Sequence, residues 1–355
     1  MDLIRFLSNR IKSKELVQFT RQLATLVSAG LPLLKSLRTL SDQLEKGYLK
    51  EVVSEVAKEV ESGTTFSTAL SHYANVFPEL FVNMVKAGEQ GGMLDEILKR
   101  LADFLEKQQR LKDQVRSSLM YPAFVLAIAI LILVLLMIFV VPTFTNMFEE
   151  LGGALPLPTQ ILIATSQFIR HFWYTLIFFM IGGVLFYRWM KKAPSRRFYL
   201  DKLQLKLPVV GELMEQVAVA RFARTLGTLL SSGVAILSAL DTVCDVVGNE
   251  VMSRAIRGVR NSIKEGEGVS DPLERSNAFP PLVIKMVAVG EETGQLDKML
   301  VQIANSYEEE VDTAVRGLTA LLEPVLIVTM GLLVGFIVVS MFLPLFSLTK
   351  LIGGG

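Results

Sequence analysis

The sequence predicts an all-α integral membrane protein in which two homologous cytoplasmic helical domains are joined to three transmembrane helices. Three observations predict it. Residues 19–30 read FTRQLATLVSAG and residues 222–233 read FARTLGTLLSSG, so one module is written twice. Within both modules apolar residues recur at three- and four-residue intervals with almost no alternation of period two, the pattern of amphipathic helices. Finally, three apolar segments have the length that a helix needs to cross ~30 Å of hydrocarbon: Pro122 to Val141, Phe172 to Met190 and Leu321 to Phe346.

Composition agrees with that division. A chain with 51% hydrophobic and 20% charged residues is too apolar to be wholly soluble and too charged in stretches to lie wholly in lipid. A formal net charge of +1 argues against a nucleic-acid partner. One cysteine, Cys244, excludes an intrachain disulfide.

Along the chain, residues 1–13 form a short basic amphipathic N-terminus, with Leu3, Ile4, Phe6 and Leu7 among Arg5, Arg10 and Lys12. It reads equally as a piece lying on an anionic membrane face or as a first helix of the domain. No small-residue cleavage site precedes the first apolar run, which argues against a removable secretory signal. The first cytoplasmic domain spans 14–115, where Phe19, Leu23, Leu26, Leu33 and Leu37 make one stripe broken at Gly30 and Pro32. Transmembrane helix 1 spans 120–142, a periplasmic loop 143–168 and transmembrane helix 2 169–190. The second domain, 205–318, repeats the first around Gly233. Transmembrane helix 3 spans 321–346 and a periplasmic tail 347–355.

Each copy continues in one order: a turn segment, a Phe-Pro pair (Phe77-Pro78, Phe279-Pro280), then G-E-x-x-G-x-L-D, then an apolar run bracketed by prolines (Pro122 and Pro142, Pro324 and Pro344). Between Gly92 and Pro122 there is no helix breaker. The simplest reading is one helix of ~70 Å from Met93 through the domain and across the membrane, bent or interrupted at Pro122. Such fusion could carry a movement from the cytoplasm into the bilayer.

Lys and Arg set the orientation. Arg110, Lys112 and Arg116 precede the first span, and Arg188, Lys191, Lys192, Arg196 and Arg197 follow the second, whereas the loop between them is acidic at Glu149 and Glu150. By the positive-inside rule both domains and the N-terminus are cytoplasmic. Tyr121, Phe172, Trp173, Tyr187 and Trp189 sit where interfacial aromatic belts are expected.

No phosphate-binding loop, H-E-x-x-H or C-x-x-C occurs, and His72 and His171 fall on opposite sides of the membrane, so neither nucleotide hydrolysis, zinc chemistry nor a Ser-His-Asp hydrolase is supported. No catalytic, cofactor or metal site is predicted. The duplicated motif, Gly88, Glu89, Gly92 and Asp95 against Gly290, Glu291, Gly294 and Asp297, has two readings. Structurally, Gly88 ends one helix, Gly92 takes positive φ and Asp95 suits the dipole of the next helix. Functionally, Glu89 and Glu291 are exposed carboxylates for a basic partner surface or a cation. Gly331 and Gly335, with Gly182 and Gly183, permit close helix packing within one chain or across a dimer. Glu323, at the mouth of the third span, is a snorkelling acid or an ion site.

These residues together resemble the type II secretion system F family, the inner-membrane platform proteins of type II secretion and type IV pilus machines. The closest local match runs through the first span: Gln114-Val115, Ser118-Leu119, Tyr121-Pro122, Val125, Ala129, Leu136 and Val140-Val141-Pro142. The resemblance implies a non-enzymatic platform that engages a hexameric cytoplasmic assembly ATPase, pilin or pseudopilin subunits, other inner-membrane assembly proteins and lipid. It also implies domains of the six-helix bundle type and a homodimer or higher homo-oligomer. The chain departs from many members in its N-terminus, where they carry a polar extension of several tens of residues, so contacts made through that extension do not carry over. The rival reading is an oligomeric transporter or channel built from duplicated halves; a receptor-like sensor is a third, against which the small outer loop speaks.

Overall fold

The computed structural model describes residues 11–150, 156–191, 193–208 and 210–352. The first repeat contributes α1 (Ser13–Ser28), α2 (Leu33–Gln43), α3 (Tyr48–Glu61), α4 (Phe66–Ser71), α5 (Glu79–Gly91) and the beginning of α6 (Leu94–Leu135). A π-helical turn, Leu136–Val140, leads into α7 (Val141–Glu150), followed by α8 (Leu157–Lys191) and α9 (Pro194–Leu205). The second repeat contributes α10 (Val210–Ser231), α11 (Ile236–Val246), α12 (Glu250–Lys264), α13 (Ser270–Arg275), α14 (Pro281–Glu292) and the beginning of α15 (Leu296–Ile352). There is no strand among the described residues.

The chain divides into two compact units: Met1–Gln114 with Asp201–Asp312, and Val115–Leu200 with Thr313–Gly355. In the first unit both repeats share one continuous apolar cluster. Its centres repeat as the sequence does. Phe19 packs 6.3 Å from Phe77, which packs 5.0 Å from Phe81; in the second repeat Phe222 packs 4.7 Å from Phe279. Each is almost fully buried, and tilted aromatic pairs of this kind contribute about 0.5–1.5 kcal/mol beyond their buried area. The predicted start of the second domain, at 205, moves back: Asp201 on α9 is buried and its carboxylate accepts the Glu250 N–H at 2.7 Å, at the start of α12.

The second unit corrects two expectations. Pro122 does not interrupt α6, which runs on to Leu135. Proline at 122 leaves the Ser118 carbonyl without its usual N–H partner, and the Thr319 hydroxyl of α15 lies 3.5 Å from that oxygen while donating at 2.9 Å to the Val315 carbonyl. Nor does Pro142 end the helical path. The wide π turn over Leu136–Val140 falls just before it, relieving the clash of the proline ring with the Ile138 carbonyl, and α7 continues through Pro142. Likewise Pro324 and Pro344 lie inside α15.

The predicted loop, 143–168, is largely helical, with only 151–156 between α7 and α8 and residues 151–155 outside the described set. The reason is packing. Leu162 is buried with Val141 and Ile337, Thr159 Oγ1 donates to the Ser340 carbonyl at 2.5 Å, and Ser166 Oγ donates to the Met137 carbonyl at 2.5 Å. Hydroxyl-to-carbonyl bonds between apolar helices are a recognised means of association in lipid. The α8 backbone leaves helical geometry at Phe172, near the predicted start of the second span.

Among the described residues two helical stretches, Leu94–Met147 and Leu296–Pro344, are long and apolar enough to cross a bilayer. Beyond Phe172, α8 exposes Phe178, Phe179, Leu185 and Phe186, and some side chains of this segment lie outside the described set. The same holds for most of the predicted basic N-terminus, residues 1–10, for Trp173 and for the end of the predicted tail.

Candidate functional site

The duplicated motif builds the same object twice. Glu89 leaves α5 and its carboxylate accepts the backbone N–H of Phe66 at 2.6 Å and of Ser67 at 3.0 Å, the first residues of α4. Glu291 leaves α14 and accepts Val269 N–H at 2.7 Å, Ser270 N–H at 3.0 Å and the Ser270 hydroxyl at 2.8 Å, at the start of α13. A helix start presents N–H groups without intrahelical partners, and a carboxylate there satisfies them and suits the dipole. The two carboxylates are half-buried rather than exposed. Burial alone would push Glu291 up; the bonds from Ser270 and Val269 outweigh it and hold the carboxyl below its usual range.

The motif's glycines divide the work. Gly92 and Gly294 have φ of 66° and 65°, the left-handed conformation that closes α5 and α14. Gly88 does not end its helix: it lies inside α5, where a Cβ would meet Ile97 Cβ at 3.0 Å. Gly290 is confined in the same way, by Leu296 Cα and Met299 Cγ at 3.0 Å. A Gly290→Ala variant is therefore expected to lose about 1–3 kcal/mol through overpacking against backbone. Gly294→Ala, with open space around it, is expected to lose about 1 kcal/mol through its φ alone. Chemical unfolding of the two variants checks the order. Asp95 and Asp297 sit in the first turns of α6 and α15. Gly30 and Gly233 take φ of 85° and 79° after α1 and α10.

A second repeated constellation was not singled out from the sequence. Arg21 on α1 bonds Glu106 through Nε at 2.6 Å and Asp103 through Nη2 at 2.5 Å, both on α6. Arg224 on α10 bonds Glu308 through Nε at 2.7 Å and Nη2 at 2.8 Å, and Asn305 at 2.5 Å, both on α15. The signal existed, because Arg and Glu stand at the same places in each copy of the repeat. The repeats also touch one another through polar contacts: Arg100 Nη1 donates to the Ser231 carbonyl at 2.6 Å, and Asn83 Nδ2 donates to Thr242 Oγ1 at 3.3 Å.

In the second unit, Tyr121, Pro122 and Val125 of α6 and Thr319, Glu323 and Ile327 of α15 line a mostly apolar groove of about 220 Å3. The structure thus brings together Tyr121, Pro122 and Glu323, which sequence spacing alone did not connect. Glu323 is exposed and has no ion-pair or hydrogen-bond partner among the described residues. Gly331 and Gly335 face open space, with no atom within 4 Å of a built Cβ, so no contact within the chain requires their small size.

The family described as "Type II secretion system (T2SS), protein F" matches residues 19–142 and 222–344, that is, both repeats with the apolar helix that follows each. The chain is 42% identical over 338 residues to the type IV pilus assembly protein PilC of Myxococcus xanthus, covering 95% of this chain and 81% of that protein. It is 44% identical over 336 residues to the type IV pilus assembly protein PilC of Thermus thermophilus, covering 94% and 82%. It is 34% identical over 341 residues to the type II secretion system protein F of Vibrio cholerae, covering 96% and 84%.

Proposed function

This chain belongs to the type II secretion system protein F family, and from that membership we propose that it is an inner-membrane platform coupling a hexameric cytoplasmic assembly ATPase to the polymerisation of pilin or pseudopilin subunits. The relatives' names place those proteins in type IV pilus assembly and in type II secretion. The observation that carries the coupling is helix continuity. α6 and α15 each begin in a charged repeat at the duplicated turn and run without a break into an apolar stretch. A displacement imposed on the polar end of such a helix reaches its apolar end, since no flexible linker absorbs it.

Within this reading the protein performs no chemistry of its own. Each repeat acts as a six-helix unit in the cytoplasm, α8 beyond Phe172 is the third span, and the N-terminus lies in the cytoplasm. The turns at Glu89–Asp95 and Glu291–Asp297 are the proposed contact with the ATPase. Their carboxylate caps shape the surface, and Asp95 is exposed upon it. Other inner-membrane assembly proteins and lipid complete the partners, and the platform is a homo-oligomer.

Purification of the full-length protein from gently solubilised membranes, with mass spectrometry of what accompanies it, tests the function. Recovery of an assembly ATPase with pilin-like subunits is the expected result; a protein that emerges alone even after crosslinking would overturn it. For the topology, reporter fusions at residue 155 and at the C-terminus are expected to report an external location and one at residue 250 a cytoplasmic one. A cytoplasmic signal at 155 would sink the three-span arrangement.

A further inference from the structure

Corresponding positions of the two repeats line a groove in each copy, and only one of the grooves is filled. In the second repeat Ala220, Arg221, Arg224, Thr225 and Glu308 form it, and α6 of the first repeat covers it with Phe104, Lys107, Gln108 and Leu111, leaving about 10 Å3. In the first repeat the counterparts, Val17, Gln18, Arg21, Gln22 and Glu106, line an open groove of about 380 Å3. A contact made once and not returned is heterologous: one face of the repeat receives a helix and a different face supplies one.

The supplying face is present in the second repeat too. On α15 the counterparts of Phe104, Lys107 and Gln108 are Ser306, Glu309 and Glu310, and all three are exposed. We propose that the open groove of the first repeat receives α15 of a second copy of this chain, through Ser306, Glu309 and Glu310, so that copies associate head to tail.

The residues that differ between the repeats favour this occupant. In the contact that exists, Lys107 shares its groove with Arg221 and Arg224. In the proposed contact two carboxylates replace Lys107 and Gln108. Facing them are Lys14, where the second repeat has Val217, and the amides of Gln18 and Gln22. The polar edge of the contact continues in the same sense: Arg100 bonds the Ser231 carbonyl, and their counterparts Gln302 and Ser28 are both exposed. The groove walls are polar enough to stand in water in a free copy, as a contact that forms between copies requires. The inference concerns self-association alone and stands or falls independently of which machine the protein serves.

Two full-length variants in a Cys244→Ala background, Gln18→Cys and Glu310→Cys, carry different tags, are co-expressed and are oxidised in the membrane. A disulfide joining the two tags is expected, about tenfold above that formed by either variant paired with itself, because a heterologous contact never juxtaposes identical residues. Homotypic links as strong as the mixed one would overturn the proposal in favour of a symmetric interface. Absence of any link would overturn it in favour of a groove that a copy does not cover. A charge exchange keeps the test open should the cysteine variants fold poorly. Lys14→Glu is expected to lower the oligomeric fraction about threefold, and adding Glu310→Lys to restore it. Failure of the restoration, with both variants folded by melting temperature, also overturns the proposal.

Discussion

Replacing Glu308 with leucine is expected to cost about 3–5 kcal/mol, because it strands a guanidinium that has almost no access to water. Arg224 is 6% exposed, and its two bonds to Glu308 and one to Asn305 satisfy it inside the contact covered by α6. Leucine removes both carboxylate oxygens and leaves Asn305 as the single acceptor. The same change in the first repeat, Glu106→Leu, is expected to cost about 1 kcal/mol or less. There the Arg21 side chain is 35% exposed, keeps Asp103 and can turn to water in the open groove. Removing the cation as well, in Arg224→Met with Glu308→Leu, should recover most of the loss, since two apolar chains of similar volume need no partner. Thermal unfolding of the full-length protein in one detergent measures all three. Equal losses at Glu106 and Glu308 would show that covering by α6 does not isolate Arg224 from solvent.

The contrast between these two arginines marks where sequence reading stops. The duplication, the helical class and the apolar helices after each module were legible because each is written in local pattern: a repeated string, a three-to-four residue period, a run of apolar side chains. The positive φ of Gly92 was legible from turn chemistry for the same reason. What was not legible depends on partners distant in the chain. Glu89 looked like a free carboxylate because the N–H groups it accepts, on Phe66 and Ser67, stand more than twenty residues away. The 157–171 helix was read as loop from its glycines, prolines and acids, whereas its order comes from Leu162, Thr159 and Ser166 meeting α15 and the π turn. The open and filled grooves could not be told apart at all. The same repeat positions line both, and only the path of α6 decides which one is covered.

Glu291→Ala is expected to cost about 2–3 kcal/mol, and Glu89→Ala less, although the two carboxylates occupy one motif. The difference lies in what else holds the short helix. α4 begins at Thr65, whose side chain accepts from Thr68 N–H, whereas α13 begins after Val269, which has no side-chain acceptor to offer. In the second repeat Glu291 therefore carries the helix start through three hydrogen bonds. Lysine at either position aims a cation at backbone N–H groups and is expected to lower stability further. If instead these carboxylates were free for a partner, Glu291→Lys would leave the melting temperature unchanged and weaken only partner recovery. The pH dependence separates the two accounts again. Glu291 has a folded-state pKa held below its ordinary value, net of burial, by the bonds from Ser270 and Val269. In the window between the folded and unfolded values the unfolded chain binds more protons, so the stabilisation is complete above the unfolded value and is lost as pH falls through the folded one. The stability gap between the wild type and Glu291→Gln should accordingly be widest near neutrality and narrow below about pH 4.5. A gap that stays constant across that range would assign the carboxylate some role other than capping α13.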